Sequence, residues 1–344
     1  MPSIPRTPST VSLIIPVYNG GDSFRACLQS IAQAVPQPTE LIVVADGDSD
    51  GSREVAGAFG AHVIALPFCG GPARARNVGA RAAHGDILFF VDADVTIPPD
   101  ALAQIVHVFR TEPSTVALFG SYDDQPAATN FLSQYKNLFH HYVHQTSSDE
   151  ASTFWGACGA IHRDVFLSMG GFDERYRFPS IEDIELGYRL KRAGHRIRLY
   201  KPLQVKHLKC WRTKSLLKAD IYLRALPWTD LIWREGSMRS DLNLGFSSRV
   251  SVICVYALVG VVIGTVWWPR LLVVAGVVVG ILLASNASAY RFFLQKRGVW
   301  FTLCVLPWHW FYYGYSGFAF LLGSLRHLLQ RYERNQQRTT AVSQ

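Results

Sequence analysis

Near Arg249 the chain changes character, and this division restricts its architecture more than any other feature. Upstream, short apolar runs alternate with helical patterns. Downstream lie Val250–Trp268 and Leu271–Tyr290, almost wholly apolar, each near the roughly 20 residues that cross a bilayer as a helix. Pro269-Arg270 breaks them, so they read as a transmembrane hairpin with Trp267, Trp268 and Tyr290 in the interface belt. A buried pair of soluble helices is the alternative, and such long uncharged runs are rare in soluble cores.

The upstream runs are Ser12–Pro16, Glu40–Ala45, His62–Ala65, Ile87–Asp92 and Val116–Gly120. They predict strands buried on both faces. Helical patterns fall at Asp22–Ala34, Ser52–Phe59, Pro72–Ala83 and Asp100–Thr111. This order predicts an α/β fold, a mostly parallel sheet with helices on both faces, followed by an all-α transmembrane region.

Further boundaries follow from local pattern. Residues 1–10 are polar and proline-rich, lack the apolar core of a signal peptide, and are expected to be disordered. The α/β domain is expected over 11–212. In 213–248, Leu216, Leu217, Ile221, Leu226, Trp228 and Leu231 are interleaved with Lys214, Lys218, Arg224 and Arg234, a composition that suits a bilayer surface or a helix packed on the domain. Two to three helices are expected over 249–326. The third stretch, Val299–Leu325, contains Pro307 and His309 and either spans or lies in the interface. Arg291, Lys296 and Arg297 place the loop before it on the cytoplasmic side with the α/β domain; a third span would then carry the basic tail, 327–344, to the opposite side, which the positive-inside rule disfavours.

Composition narrows the partners. Charged residues make up 17% and the formal net charge is +8. No nucleic-acid motif or aromatic-interleaved basic patch is present, so the excess charge points to an anionic membrane surface or a phosphorylated substrate. Six scattered cysteines without C-x-x-C spacing fit a reducing compartment rather than a zinc site or disulfide framework.

Asp92-Ala93-Asp94 closes the strand pattern at Ile87–Val91. The carboxyl end of a strand in an open α/β sheet is where ligands bind. Two carboxylates there can share a hard cation such as Mg²⁺ or Mn²⁺, which bridges to a diphosphate. An isolated D-x-D is equally a turn with two solvated aspartates. Around it stand Val11-Ser-Leu-Ile-Ile-Pro-Val-Tyr-Asn19, Glu40-Leu-Ile-Val-Val-Ala-Asp-Gly-Asp-Ser-Asp-Gly-Ser52, Gly70-Gly-Pro-Ala-Arg-Ala-Arg-Asn77, Gly170-Gly-Phe-Asp-Glu174 and Ile181-Glu-Asp-Ile-Glu-Leu-Gly-Tyr-Arg189.

In this order and spacing, residues 10–212 resemble family 2 glycosyltransferases of the GT-A fold, in a membrane-anchored, bacterial-type form. The resemblance implies inverting transfer of a sugar from a nucleotide donor, assisted by a divalent metal. It assigns Asp46 to the nucleotide base, typically uracil, although Ala45 replaces the family's first aspartate; Asp48 and Asp50 read as turn residues. Pro16, Tyr18 and Asn19 line the nucleotide side. Arg76 either meets phosphate near a helix N-terminus or forms a buried pair with Asp92. Asp94 is expected on the metal and Asp92 on metal or ribose. His207 either joins the metal or is a satisfied surface histidine. Asp183 is the expected general base, since an acceptor hydroxyl must lose its proton as it attacks; the other reading of Glu182-Asp183 is favourable charge at a helix N-terminus.

Trp155, Gly156, Glu182 and Trp211 are assigned to the acceptor side, with a core tryptophan as the alternative for Trp155. His140, His141 and His144 read as structural or surface. Processive relatives carry Gln-x-x-Arg-Trp where this chain has His207-Leu-Lys-Cys-Trp211, which favours addition of one sugar at a time. The expectation is a multi-pass protein of the inner (cytoplasmic) membrane with a cytosolic active site, acting on a lipid-linked or membrane-associated acceptor. The competitors are a polyprenyl-phosphate sugar transferase, a nucleotidyltransferase and an inactive membrane-bound scaffold.

Overall fold

The computed structural model describes residues 10–236 and 245–342. All but the last residue of the expected disordered N-terminus, and positions 237–244 of the expected interfacial segment, lie outside these. The chain divides into two compact units, Met1–Trp211 and Arg212–Gln344.

The first unit is built on nine strands: β1 (Val11–Val17), β2 (Glu40–Asp46), β3 (His62–Leu66), β4 (Ile87–Val91), β5 (Val95–Thr96), β6 (Thr115–Tyr122), β7 (Glu150–Ala151), β8 (Cys158–His162) and β9 (Arg196–His207). Their order is β3-β2-β1-β4-β8-β6-β9-β5, with β7 added to β9. β1 pairs in parallel with β2 and β4, and β2 with β3. β8 inserts antiparallel between β4 and β6. Each expected strand run lies within one of these strands except Ile87–Asp92, which the strand leaves one residue earlier.

Both faces of the sheet are apolar. Leu13, Ile15, Phe89 and Val91 pack with Phe24, Leu28, Leu102 and Ile105 from helices α1 (Gly21–Ala32) and α4 (Ala101–Thr111), separated in the chain by α2 (Ser52–Ala58) and α3 (Pro72–Ala82). Ile14, Ile42, Leu88 and Phe90 pack on the other face with Ala73 and Ala80 of α3, and with Phe166 of α6 (Arg163–Ser168) and Leu186 of α7 (Glu182–Arg192). Alternate residues of β4 thus feed two cores, which is why the run carries no polar position. Helix α5 (Phe131–Thr146) packs along β6 and β9.

The second unit holds α8 (Thr213–Lys218), a π-helical stretch (Ala219–Ala225), α9 (Leu226–Glu235), α10 (Phe246–Gly264), α11 (Leu271–Ser285) and α12 (Ala287–Val342). The basic, tryptophan-bearing stretch packs on α12: Leu231 and Ile232 are buried, Tyr315 donates to Asp220 at 2.8 Å, and Trp233 donates to Ser324 at 2.9 Å.

Among the described residues α10 alone is long and apolar enough to cross a membrane by itself; α11 and α12 pass together as one pair bent by 65°. The expected second span, Leu271–Tyr290, is therefore not one helix. Asn286 interrupts it, and its amide takes over the bonds a continuous helix would make: Nδ2 donates to the Leu282 carbonyl at 2.9 Å and to Ser251 at 2.8 Å, while Oδ1 accepts from Tyr313 at 2.8 Å. By length and composition, α10 and the bent pair make up to two candidate spans among the described residues, against the two to three helices expected.

Candidate active site

β4 ends at Val91, and the chain turns through Asp92-Ala93-Asp94 into β5. Val95 lies in register with His207 at the end of β9, and the Leu208 amide donates to the Asp94 carbonyl at 2.9 Å. This strand pairing brings His207 to Asp94, with Nε2 3.5 Å from Oδ2. Burial raises the Asp94 carboxyl, but the neighbouring imidazole and the Lys209 charge outweigh it and hold the group below its ordinary value. The two side chains present one carboxylate and one imidazole edge to the carboxyl end of the sheet. Among the described residues no three His, Cys, Asp or Glu side chains form a closed metal cage. A two-donor set suits an ion completed by water and substrate phosphate, as Mg²⁺ commonly is, and imidazole is tolerated better by Mn²⁺.

Asp92 is engaged differently. Its Oδ1 accepts from Arg76 Nη2 at 2.6 Å, and Arg76 Nη1 reaches Glu182 Oε1 at 2.9 Å. Arg76 is 4% exposed. Burial opposes its charge, and the Asp92 and Glu182 carboxylates more than offset this. Of the two arrangements left open for Arg76, the buried ion pair is the one present in this structure. Glu182 is equally closed: its second oxygen accepts from the Ser180 amide at 2.9 Å. It holds Arg76 in place.

Asp183 follows Glu182 in the first turn of α7. It is held by two amides, Gly156 to Oδ2 at 3.0 Å and Ile184 to Oδ1 at 2.8 Å. Burial first, then the Glu182 charge, pushes its carboxyl up to about 7, against the opposing pull of the Gly156 amide and Arg76. A carboxylate poised near neutrality is what a general base requires. Gly156 has a second role: a Cβ there would sit 3.2 Å from Arg76 Cζ, so the close approach of this loop to the guanidinium favours glycine.

The quoted motifs also hold one another. The Asn77 amide bonds reciprocally with Phe172, at 2.8 Å in each direction, tying α3 to the Gly170-Gly171 turn. Asp46 is 3% exposed and accepts from the Gly70 and Gly71 amides at 2.9 and 2.8 Å. It anchors this turn, and contact with a base through it requires the turn to open. Gly71 has φ of +94°, and a Cβ there would meet the Arg177 carbonyl at 2.2 Å. Asn19, with φ of 51°, accepts from the Ser49 amide at 2.8 Å and joins the turns after β1 and β2. Beside it Pro16 is half-buried and Tyr18 is 56% exposed. Asp48 and Asp50 accept from the Arg53 and Ser52 amides of their own turn, and Asp50 also accepts from the Gly21 amide at the start of α1.

The acceptor tryptophans differ. Trp155 is half-buried and packs edge-on to Tyr122 at 4.7 Å. Trp211 is 4% exposed, its amide donates to Ser133 and its carbonyl accepts from Asn130. In this structure the enclosed Trp211 ring is part of the framework. His141 and His144 bond the Tyr122 and Gly120 carbonyls, as structural histidines. Nothing in the sequence singles out Tyr122, two residues past the expected end of its strand. Its ring stacks on His207 at 4.4 Å and 8°, fixing the plane of the imidazole beside Asp94.

Residues 12–170 match the profile described as Glycosyl transferase family 2. The succinoglycan biosynthesis protein ExoA of Rhizobium meliloti is 29% identical over 204 residues, 55% of this chain and 60% of that protein. An undecaprenyl-phosphate 4-deoxy-4-formamido-L-arabinose transferase of Yersinia pestis is 35% identical over 107 residues, 28% of this chain and 33% of that protein. The matched segments span from 27% to 60% of the length of such curated relatives. Among solved structures, the mannosyltransferase PcManGT of Pyrobaculum calidifontis, in complex with GDP-Man and Mn²⁺, superposes with a TM-score of 0.55 at 15% identity, covering 94% of this chain and 89% of that one. The first unit thus has the GT-A fold.

Proposed function

We propose that this protein transfers a single sugar, with inversion, from a nucleotide-sugar donor to a hydroxyl of a lipid-linked or membrane-associated acceptor. The observation that carries this reading is Asp183, a half-buried carboxylate raised to about 7 and oriented by two amides beside the Arg76–Asp92 pair. As the acceptor hydroxyl attacks the anomeric carbon, Asp183 takes its proton. Asp92 stands on the donor side, where Arg76 fixes one oxygen and the other can accept from ribose. Asp94 and His207 would hold a Mg²⁺ or Mn²⁺ ion, whose chemistry is neutralisation of the departing diphosphate. Trp155 and Gly156 lie on the acceptor side, and a UDP-linked donor is the first choice, through Asp46, Tyr18, Asn19 and Pro16. Attachment of the chain to the cytoplasmic face of a membrane through α10 keeps the site near its acceptor and on the side where nucleotide sugars are made.

The experiment is a panel of nucleotide sugars incubated with the full chain and a membrane lipid extract, with Mn²⁺ or a chelator. Metal-dependent release of nucleoside diphosphate with sugar transferred to lipid supports the reading. Release of pyrophosphate would instead identify a nucleotidyltransferase, and absence of metal-dependent nucleotide binding an inactive scaffold. The relative described as an undecaprenyl-phosphate transferase favours a second reading, in which a polyprenyl-phosphate oxygen attacks. That nucleophile needs no strong base, so near-normal turnover by Asp183→Asn would select it.

A further inference from the structure

The second unit contains a cavity of about 310 Å³ between the π-helical stretch and α9 on one side and α12 on the other. Tyr222, Leu226, Pro227, Asp230, Arg326 and His327 line it. It lies where the apolar surface of α12 gives way to charge: Leu321, Leu322 and Leu325 are exposed just before Arg326, and Arg331 follows. Apolar side chains passing into arginines, with Trp233 and Tyr222 alongside, match the depth profile of a bilayer interface.

The polar groups of the cavity are unevenly satisfied. Asp230 is neutralised twice, by Arg234 at 3.0 Å and by His327 Nδ1 at 2.8 Å. A carboxylate only accepts, so Nδ1 carries the proton of His327 and Nε2 is left without a protein partner among the described residues. Arg326 and the Tyr222 hydroxyl likewise have no partner among them. An uncompensated guanidinium, a phenol and one imidazole edge therefore share one cavity floored by Leu226 and Pro227. Arginine's fork of donors matches the oxygens of a phosphate, and the His327 Nε2 edge can accept from a headgroup hydroxyl.

We infer that this cavity binds the phosphate of an anionic membrane lipid, with Arg326, His327 and Tyr222 on the headgroup and Leu226 and Pro227 against the start of the acyl or prenyl chain. The inference rests on the membrane reading above, and the test separates the two. Detergent-solubilised full-length protein is titrated with phosphatidylglycerol fluorescent in its acyl chain, as wild type, Arg326→Gln, Arg326→Lys and Arg331→Gln. The Arg331 variant loses the same charge on the same helix outside the cavity.

Arg326→Gln should weaken binding about tenfold or more, the scale of one charge-assisted hydrogen bond. Arg326→Lys should restore part of it, Arg331→Gln should bind as wild type, and labelled phosphatidylcholine, its phosphate shielded by choline, should bind less well. Equal losses in Arg326→Gln and Arg331→Gln would reduce the effect to general surface charge and overturn the site. Displacement of the lipid by inorganic phosphate alone, as complete as by unlabelled phosphatidylglycerol, would make it a free-anion site and overturn the lipid assignment. Flotation of the same protein with phosphatidylcholine vesicles reports on the membrane reading by itself: failure to float, with Arg326-dependent lipid binding retained, would remove that reading and leave the cavity assignment supported.

Discussion

Asp183 and Glu182 are adjacent carboxylates with divergent environments, and that divergence assigns their roles. Glu182 is locked by Arg76 and the Ser180 amide, whereas the half-buried Asp183 stands beside that negative charge and is raised to about 7. Removing the neighbouring charge should lower the Asp183 carboxyl, because a like charge disfavours ionisation. Glu182→Gln should therefore move the acid limb of kcat/KM to lower pH while leaving a limb in place; a limb that rises instead would contradict the assignment. The same shift has a stability consequence. Between the ordinary aspartate value near 4 and about 7, the folded protein holds a proton that the unfolded chain has released, so the contribution of Asp183 to stability declines as pH rises across that window. At the metal side, His207→Asn should raise the Mn²⁺ concentration needed for half-maximal activity by about tenfold or more, the scale seen when a metal site loses part of its support. An unchanged Mn²⁺ requirement would return His207 to a packing role beside Tyr122.

At the level of elements, the first half of the sheet is legible because its strands are buried on both faces and its helices begin at clear signals. Ile87–Val91 and the Gly71-Pro72 start of α3 are local patterns that tertiary context has no reason to override. The second half is not legible in this way. β8 sits between β4 and β6, and Arg76 meets Glu182 across 106 residues. Pairings of that kind leave no periodic trace, which is why Arg76 reads equally as phosphate ligand or ion pair until the strands are placed. The burial of Trp211 and Glu182 is hidden in the sequence for the same reason, being decided by elements distant along the chain. Within the second unit, an apolar run says how much can be buried in lipid but not where the helix breaks; one amide, Asn286, decides that. The turn before α3 offers a direct check. Gly71→Ala introduces a Cβ at φ of +94° against the Arg177 carbonyl, and should destabilise the first unit by about 1–3 kcal/mol in denaturant unfolding. A loss near zero would mean that the turn relaxes freely and does not hold Asp46 in place.

In the whole molecule a GT-A unit is followed by a helical unit in which, among the described residues, α10 alone is apolar and long enough to span by itself. If α10 is the attachment, replacing two exposed apolar residues in its middle turns, Ile253 and Val259, by lysine should release the chain from the membrane fraction, because each charge near a span centre costs about 2.5–3.5 kcal/mol. Unchanged sedimentation would move the attachment to the bent α11–α12 pair. The central claim is that Asp183 is the base of a sugar transfer. It is tested most directly by measuring transfer from the donor found in the nucleotide-sugar panel, across pH, for wild type and Asp183→Asn. The account predicts a wild-type acid limb near pH 7, and a variant whose kcat falls by about 10²–10⁴-fold with that limb abolished and the donor KM little changed. A variant that turns over at the wild-type rate, or that loses activity yet keeps the limb near pH 7, would contradict it.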